Sequence, residues 1–264
     1  MTRLPVIFFG HGSPMIALEQ NSTTAAWRAM AQEVEQAHGR PKAILCISAH
    51  WETRGTAVTA MPSPPTIHDF GAGFPRALFA KQYPAPGDPA LAARVRDLLS
   101  PMPVALDQRW GLDHGTWSVL CHAFPEADIP VVQLGMDVAK TPQQHWQVGQ
   151  ALRPLRDEGV LIIGTGNIVH NLPAMDWGNP DAEPYPWAAR FNATMLDAVA
   201  QDRPETVWGF EQQGQDAALS CPSHDHFLPL LYVLGARHPG EEARFAPDFI
   251  QHKSLGMTSI TIGA

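Results

Sequence analysis

Cysteine is scarce in this chain: three among 264 residues, Cys46, Cys121 and Cys221, with no C-x-x-C pair. An odd number so spaced supports neither a disulfide framework nor a thiolate zinc site, and a reducing, cytoplasmic setting is expected. Basic residues are also few, 18 Lys and Arg against 26 Asp and Glu, for a formal charge of −8. Nucleic acid and anionic membranes are bound by clustered cations, so neither is an expected partner; neutral or cationic small molecules suit the chain better. No run of 18 apolar residues occurs, and Leu4 to Phe9 is too short for a signal-peptide core, so no membrane association is expected. A nucleotide-binding loop is missing too. Met15 and Val169 stand where the stretches beginning at Gly10 and Gly164 would need the third glycine of G-x-G-x-x-G, and there is no Walker loop.

Apolar residues, at 45%, are plentiful enough for a sizeable core, and one domain over residues 1–264 is the simplest division. Val6–Phe9, Ala43–Ser48, Ile129–Gly135 and Val160–Ile163 are continuous apolar runs of strand length, as in a sheet covered on both faces. Val104–Leu106 is a further short strand, and the alternation in Thr258–Ile262 marks an edge or closing strand. One amphipathic helix runs from N-caps at Ser22 and Thr23 to Gly39, with Ala26, Met30 and Val34 inward. Others run from Asp88-Pro89 to Leu99, onward from Thr116, from Thr141-Pro142 to about Glu158, and from Trp187 to Ala200. Met61–Pro75, interrupted by prolines, is a long loop whose length suggests function, with His68, Asp69 and Phe70 as pocket-wall candidates. The expected class is α/β: a central, mostly parallel or mixed sheet flanked by helices.

Twelve histidines on an acidic chain are the most informative feature. His11, His50 and His170 follow apolar strands, His114 stands in a glycine-bracketed loop, and His226 precedes an apolar helix. Parallel strands end on one edge of a sheet, which is where ligands bind, so a shared pocket explains the pattern. Imidazole is the common neutral ligand of zinc and iron, and the pattern points to a metal site. With no cysteine ligands nearby a structural zinc knot is excluded, and three protein ligands leave positions open for substrate and for water or dioxygen. His224 and His226 would point about 200° apart on a helix, so only one joins the site, and His226 is nearer the core. His122 is read as structural, and His145 as solvated or core.

Gly10-His11-Gly12-Ser13-Pro14, Ser48-Ala49-His50-Trp51, His68-Asp69-Phe70, Gly111-Leu112-Asp113-His114-Gly115, Gly166-Asn167-Ile168-Val169-His170-Asn171-Leu172 and His226-Phe227-Leu228-Pro229-Leu230-Leu231-Tyr232 together resemble the DOPA 4,5-dioxygenase extradiol proteins. These belong to the class III extradiol ring-cleavage superfamily, with the catalytic subunit of protocatechuate 4,5-dioxygenase. The resemblance spans nearly the whole chain and implies a class III extradiol dioxygenase-like single domain. It implies a mononuclear divalent metal held by His11, His50 and His226, with His170 as the acid–base residue and as a candidate further ligand in a zinc shell. The wider superfamily commonly places a glutamate at the third ligand position; histidine there makes the set neutral and favours an anionic catecholate. His114 becomes a substrate or dioxygen contact or a support behind the ligands, with His68 and Trp51 also on the substrate side. Fe(2+) is implied for activity and Zn(2+) as an alternative bound ion, with a catechol and O2 as reactants and a monomer or small homo-oligomer as the working form. The resemblance implies L-DOPA, cleaved to 4,5-seco-DOPA, as one candidate substrate; no arginine in these motifs addresses an amino-acid carboxylate, which leaves other catechols open.

Two further readings compete with this one. A zinc hydrolase could use the same histidines to activate water, and a non-catalytic metal-binding or scaffold protein could share the fold. A metal chelatase would also contain strand-Gly-His-Gly-Ser, but it leaves His50 and His226 unexplained.

Overall fold

Continuous apolar stretches fall where a sheet covered on both faces needs them. In the computed structural model, which describes residues 3–264, the main sheet comprises β1 (Val6–Gly10), β2 (Ala43–Ser48), β3 (Val131–Gln133), β4 (Val160–Gly166), β5 (Ala243–Phe245) and β6 (Ile260–Ile262), in the order 3-2-4-1-6-5. The first four run parallel; β6 pairs antiparallel with β1 and with β5. Every residue of β1 to β4 is buried. Alternate side chains enter opposite layers. Val6, Phe8, Leu45, Ile47 and Ile162 pack against the helices Pro142–Leu152, Pro186–Ala200 and Leu228–Gly235. Ile7, Phe9, Ile44, Cys46 and Ile163 pack against Ser22–His38 and His114–Ala123. The expected α/β class and flanked, mostly parallel sheet are therefore present. Among the described residues no helix is long and apolar enough to cross a membrane.

Several boundaries differ from expectation for local reasons. Asn21, not Ser22 or Thr23, caps the first long helix: its Oδ1 accepts from the Thr24 amide at 3.0 Å while Thr24 Oγ1 accepts from the Asn21 amide at 3.0 Å. This turns the buried face so that Trp27 joins Met30 and Val34, leaving Ala26 half-buried. The helix expected from Thr116 begins at His114, because Asp113 accepts from the Thr116 amide. The helix expected to reach Glu158 stops at Leu152 and tightens into a 3-10 turn, Arg153–Arg156, where Pro154 offers no amide donor. Val104–Asp107 pairs with Thr56–Thr59 outside the main sheet. The carboxyl-terminal strand is interior, and the edge beside it is β5, too short and too weakly buried to signal itself.

Strand register sets where the loops emerge. Gly10 lies opposite Gly166 and Ser48 opposite Thr165, so β1, β2 and β4 release the chain at one level along one edge.

Candidate metal centre

His11 is the first residue beyond β1, and its amide donates to the Gly166 carbonyl at 3.1 Å. His50 follows β2 by two residues; the Ala49 amide donates to Thr165 O at 3.0 Å, and the His50 amide to Ser48 Oγ at 3.2 Å. His226 arrives from far along the chain, in the turn before the Leu228–Gly235 helix. That turn lies directly on the end of β4: the Asn167 amide donates to His226 O at 2.8 Å, and a Cβ on Gly166 would fall 2.1 Å from the same oxygen. Asn167 Nδ2 also donates to His11 O at 2.5 Å, tying two histidine segments through one buried asparagine. Gly10 serves a similar close approach, since its Cβ would sit 2.5 Å from Thr258 O. Neither Gly10 nor Gly12 clears space for the imidazole itself; a Cβ on Gly12 would meet only the Met257 side chain at 3.5 Å, an ordinary contact.

These placements bring three imidazoles together. His11 Nε2 and His50 Nε2 face each other at 3.0 Å, and one ring nitrogen from each of His11, His50 and His226 lies within 4.8 Å of the others. Nitrogens bound at about 2.1 Å to one ion stand roughly 3.0–3.4 Å apart in octahedral or tetrahedral arrangements, and the His11–His50 separation matches that of a shared cation. Protonation fits as well. Burial, reinforced by the neighbouring imidazoles, holds His11 well below the usual histidine range, and burial lowers His50 to about 3 and His226 to about 4. All three are neutral at pH 7. His226 Nδ1–H donates to Asp225 Oδ2 at 2.5 Å. Burial alone would raise the Asp225 carboxyl, but that bond and the His226 ring hold it well below its ordinary value. An ionised Asp225 thus fixes the tautomer that leaves the His226 Nε2 lone pair free. His11 Nδ1 has no such partner.

His114 and His170 flank the trio. The His114 ring lies 3.8 Å from that of His50, an approach Gly115 permits, since a Cβ there would be 2.7 Å from His50 Cδ2. Asp69 accepts from the His114 amide at 2.8 Å and from His114 Nδ1–H at 2.9 Å, leaving Nε2 as the free nitrogen. Burial would raise the Asp69 carboxyl, but these bonds hold it low. His170 stacks on His226, with centroids 3.5 Å apart and planes within 6°, and burial lowers it to about 4 against the opposing influence of Asp225. It groups with Asp225 and His226 rather than with the trio. A cavity of about 410 Å³ opens over all five histidines, with Phe74, Met175, Trp177, Leu255 and Met257 among its apolar walls.

Two expected substrate-side residues lie elsewhere. His68 hydrogen-bonds Lys81 O at 3.0 Å and packs on Trp117, because successive side chains of an extended segment point opposite ways and Asp69 takes the inward position. Trp51 stacks on Trp110 at 5.6 Å and lines a separate groove with Arg54 and Arg109. His122 donates to Ile16 O at 2.9 Å within the core, His145 pairs with the Tyr232 hydroxyl at 2.7 Å, and His224 is exposed, in line with the roles expected of them. The supporting roles of Asp69, Asp225 and Asn167 were not evident from sequence; an acid beside a candidate histidine, in His68-Asp69 and Asp225-His226, was the available signal.

From residue 5 to 261 the chain matches the protein family described as the catalytic LigB subunit of aromatic ring-opening dioxygenase. It is 47% identical over 267 residues to an Escherichia coli K12 protein named 4,5-DOPA dioxygenase extradiol, covering 99% of this chain and 96% of that one. A Beta vulgaris protein of the same name is 39% identical over 241 residues, covering 89% and 88%. The crystal structure of an uncharacterised E. coli K12 protein shares the fold with a TM-score of 0.84 at 42% identity, covering 99% of this chain and 100% of that one.

Proposed function

Because the chain belongs to the LigB family of aromatic ring-opening dioxygenases and is a metal-dependent extradiol ring-cleaving enzyme, we propose that His11, His50 and His226 hold its divalent ion beneath a catechol-binding cavity. The observation that carries this assignment is the convergence of three neutral imidazole nitrogens within 4.8 Å at the floor of that cavity. We read residues 1–264 as one catalytic domain. The zinc-hydrolase and scaffold readings have no comparable support, since the named relatives are dioxygenases.

Fe(2+) is the ion we assign to activity: held by these three histidines, it would supply the redox chemistry that couples a catechol to dioxygen, whereas Zn(2+) would fit the same donors without it. The remaining work falls to the protein. His170 is neutral at pH 7 and stands beside the His226 ring, where a free ring nitrogen can take a proton from a diol hydroxyl and return it as the ring opens. His114, oriented by Asp69, can offer Nε2 to the second hydroxyl. Its fixed tautomer makes it an acceptor there. Phe74, Met175, Leu255 and Met257 supply apolar walls that suit a flat ring and limit water.

The names of the relatives make L-DOPA, cleaved to 4,5-seco-DOPA, the first substrate to examine. The unpaired thiols of Cys46, Cys121 and Cys221 fit action in a reducing cytoplasm, and we take the working form to be a monomer or small homo-oligomer. The test is anaerobic loading of metal-free protein with Fe(2+), then addition of catechols and air. A yellow semialdehyde with matching oxygen uptake is expected; failure across a catechol panel would reject the reading.

A further inference from the structure

The cavity over the histidines has a one-sided charge. Among the described residues no lysine or arginine lines it, and its carboxylates are Asp69 and Glu19. Asp69 is occupied, accepting two hydrogen bonds from His114. Glu19 is not: it forms no ion pair among the described residues, and Oε2 accepts a single bond from Asn21 Nδ2 at 3.0 Å.

The position of Glu19 is built by the backbone. It ends the 3-10 turn Pro14–Leu18, its amide donating to Ile16 O at 3.1 Å, and its partner Asn21 caps the helix Ser22–His38. That turn begins three residues after His11, and His11 and Glu19 line the same cavity. Trp177, 66% exposed, lines the same cavity and offers an aromatic face that also favours a cation.

Resting on the reading that a catechol binds over the histidines, we propose that Glu19 binds an ammonium group on the side chain of the catechol, so that the enzyme prefers cationic catechols to those bearing only a carboxylate. Among the described residues a substrate carboxylate would meet no lysine or arginine in this cavity and would be repelled by Glu19, a penalty that acts as selection against it. The overall charge of −8 draws the same class of substrate toward the protein.

The experiment measures kcat/KM of the Fe(2+)-loaded enzyme for dopamine, neutral 4-methylcatechol and 3,4-dihydroxyphenylpropionate, in the unmodified chain and in Glu19→Gln and Glu19→Lys. Unmodified enzyme should rank them in that order. Glu19→Gln should lower the dopamine to 4-methylcatechol ratio by up to about fivefold, the upper scale of one exposed ion pair, and mainly through KM. Glu19→Lys should place the propionate above dopamine. A fold defect would depress all three substrates together and leave the ratios standing. An unchanged ratio in Glu19→Gln, or a propionate preferred by the unmodified enzyme, overturns the proposal while leaving ring cleavage intact. Absence of turnover even with 4-methylcatechol overturns the underlying functional reading instead.

Discussion

Asp225 and His170 meet the same ring, that of His226, from different directions, and their substitutions should separate metal binding from chemistry. Asp225 accepts the His226 Nδ1 proton. Asp225→Asn keeps the shape but loses the charge and the fixed tautomer, and metal affinity measured by chelator competition should fall about 10- to 100-fold. His170 stacks on His226 yet lies outside the converging trio. His170→Ala should therefore retain most of the metal, read by elemental analysis, while ring cleavage falls by roughly a hundredfold or more. Loss of metal with loss of activity would make His170 a ligand. At this scale the sequence was informative where a strand ended and less so inside a loop. His11 and His50 were placed by their apolar strands, whereas in His68-Asp69 the residue with the more familiar site chemistry turned outward.

Elements reach the site through close backbone contact, and Gly166 is the tightest point. A Cβ there would lie 2.1 Å from His226 O, so either β4 or the turn before the Leu228–Gly235 helix must move. Gly166→Ala should destabilise the protein by about 1–3 kcal/mol or more and lower Tm by several degrees. Because the moving segment carries His226, metal affinity should fall in the same variant; a normal affinity would show that the turn adjusts without displacing the ring. The Gly164-Thr165-Gly166 run resembles part of a nucleotide loop on paper, but its glycines admit the Pro229 and His226 backbones instead. Four parallel strands were legible because each is continuously buried. The hairpin of Ile250–Gln251 and Leu255–Gly256, which gives the cavity part of its wall, was not: its strands are two residues each and carry no periodicity.

Across the whole molecule, buried neutral histidines link stability to acid. Burial lowers His145, away from the site, to about 4. Above pH 6.5 this group is neutral in folded and unfolded chains alike, and its contribution is complete. As pH falls from 6.5 toward 4, the unfolded chain takes up the proton first, so stability drops; below 4 this group causes no further loss. The fall should approach about 3 kcal/mol at most from His145, read as a lower denaturant midpoint for metal-free protein at pH 5 than at pH 7.5. An unchanged midpoint would contradict a buried, neutral His145. The global arrangement was readable because apolar runs, level strand ends and spaced histidines all imply one sheet edge; the crossing of Met257–Thr258 over Gly10 depends on contacts more than 200 residues apart and leaves no local pattern.

The central assignment is that His11, His50 and His226 share one ion, and anomalous diffraction at the iron edge from anaerobically Fe(2+)-loaded crystals tests it most directly. One peak is expected at about 2.0–2.3 Å from a ring nitrogen of each of these three residues. A peak instead among His50, Asp69 and His114, or among His170, Asp225 and His226, the other groups close enough to hold a cation, would contradict it.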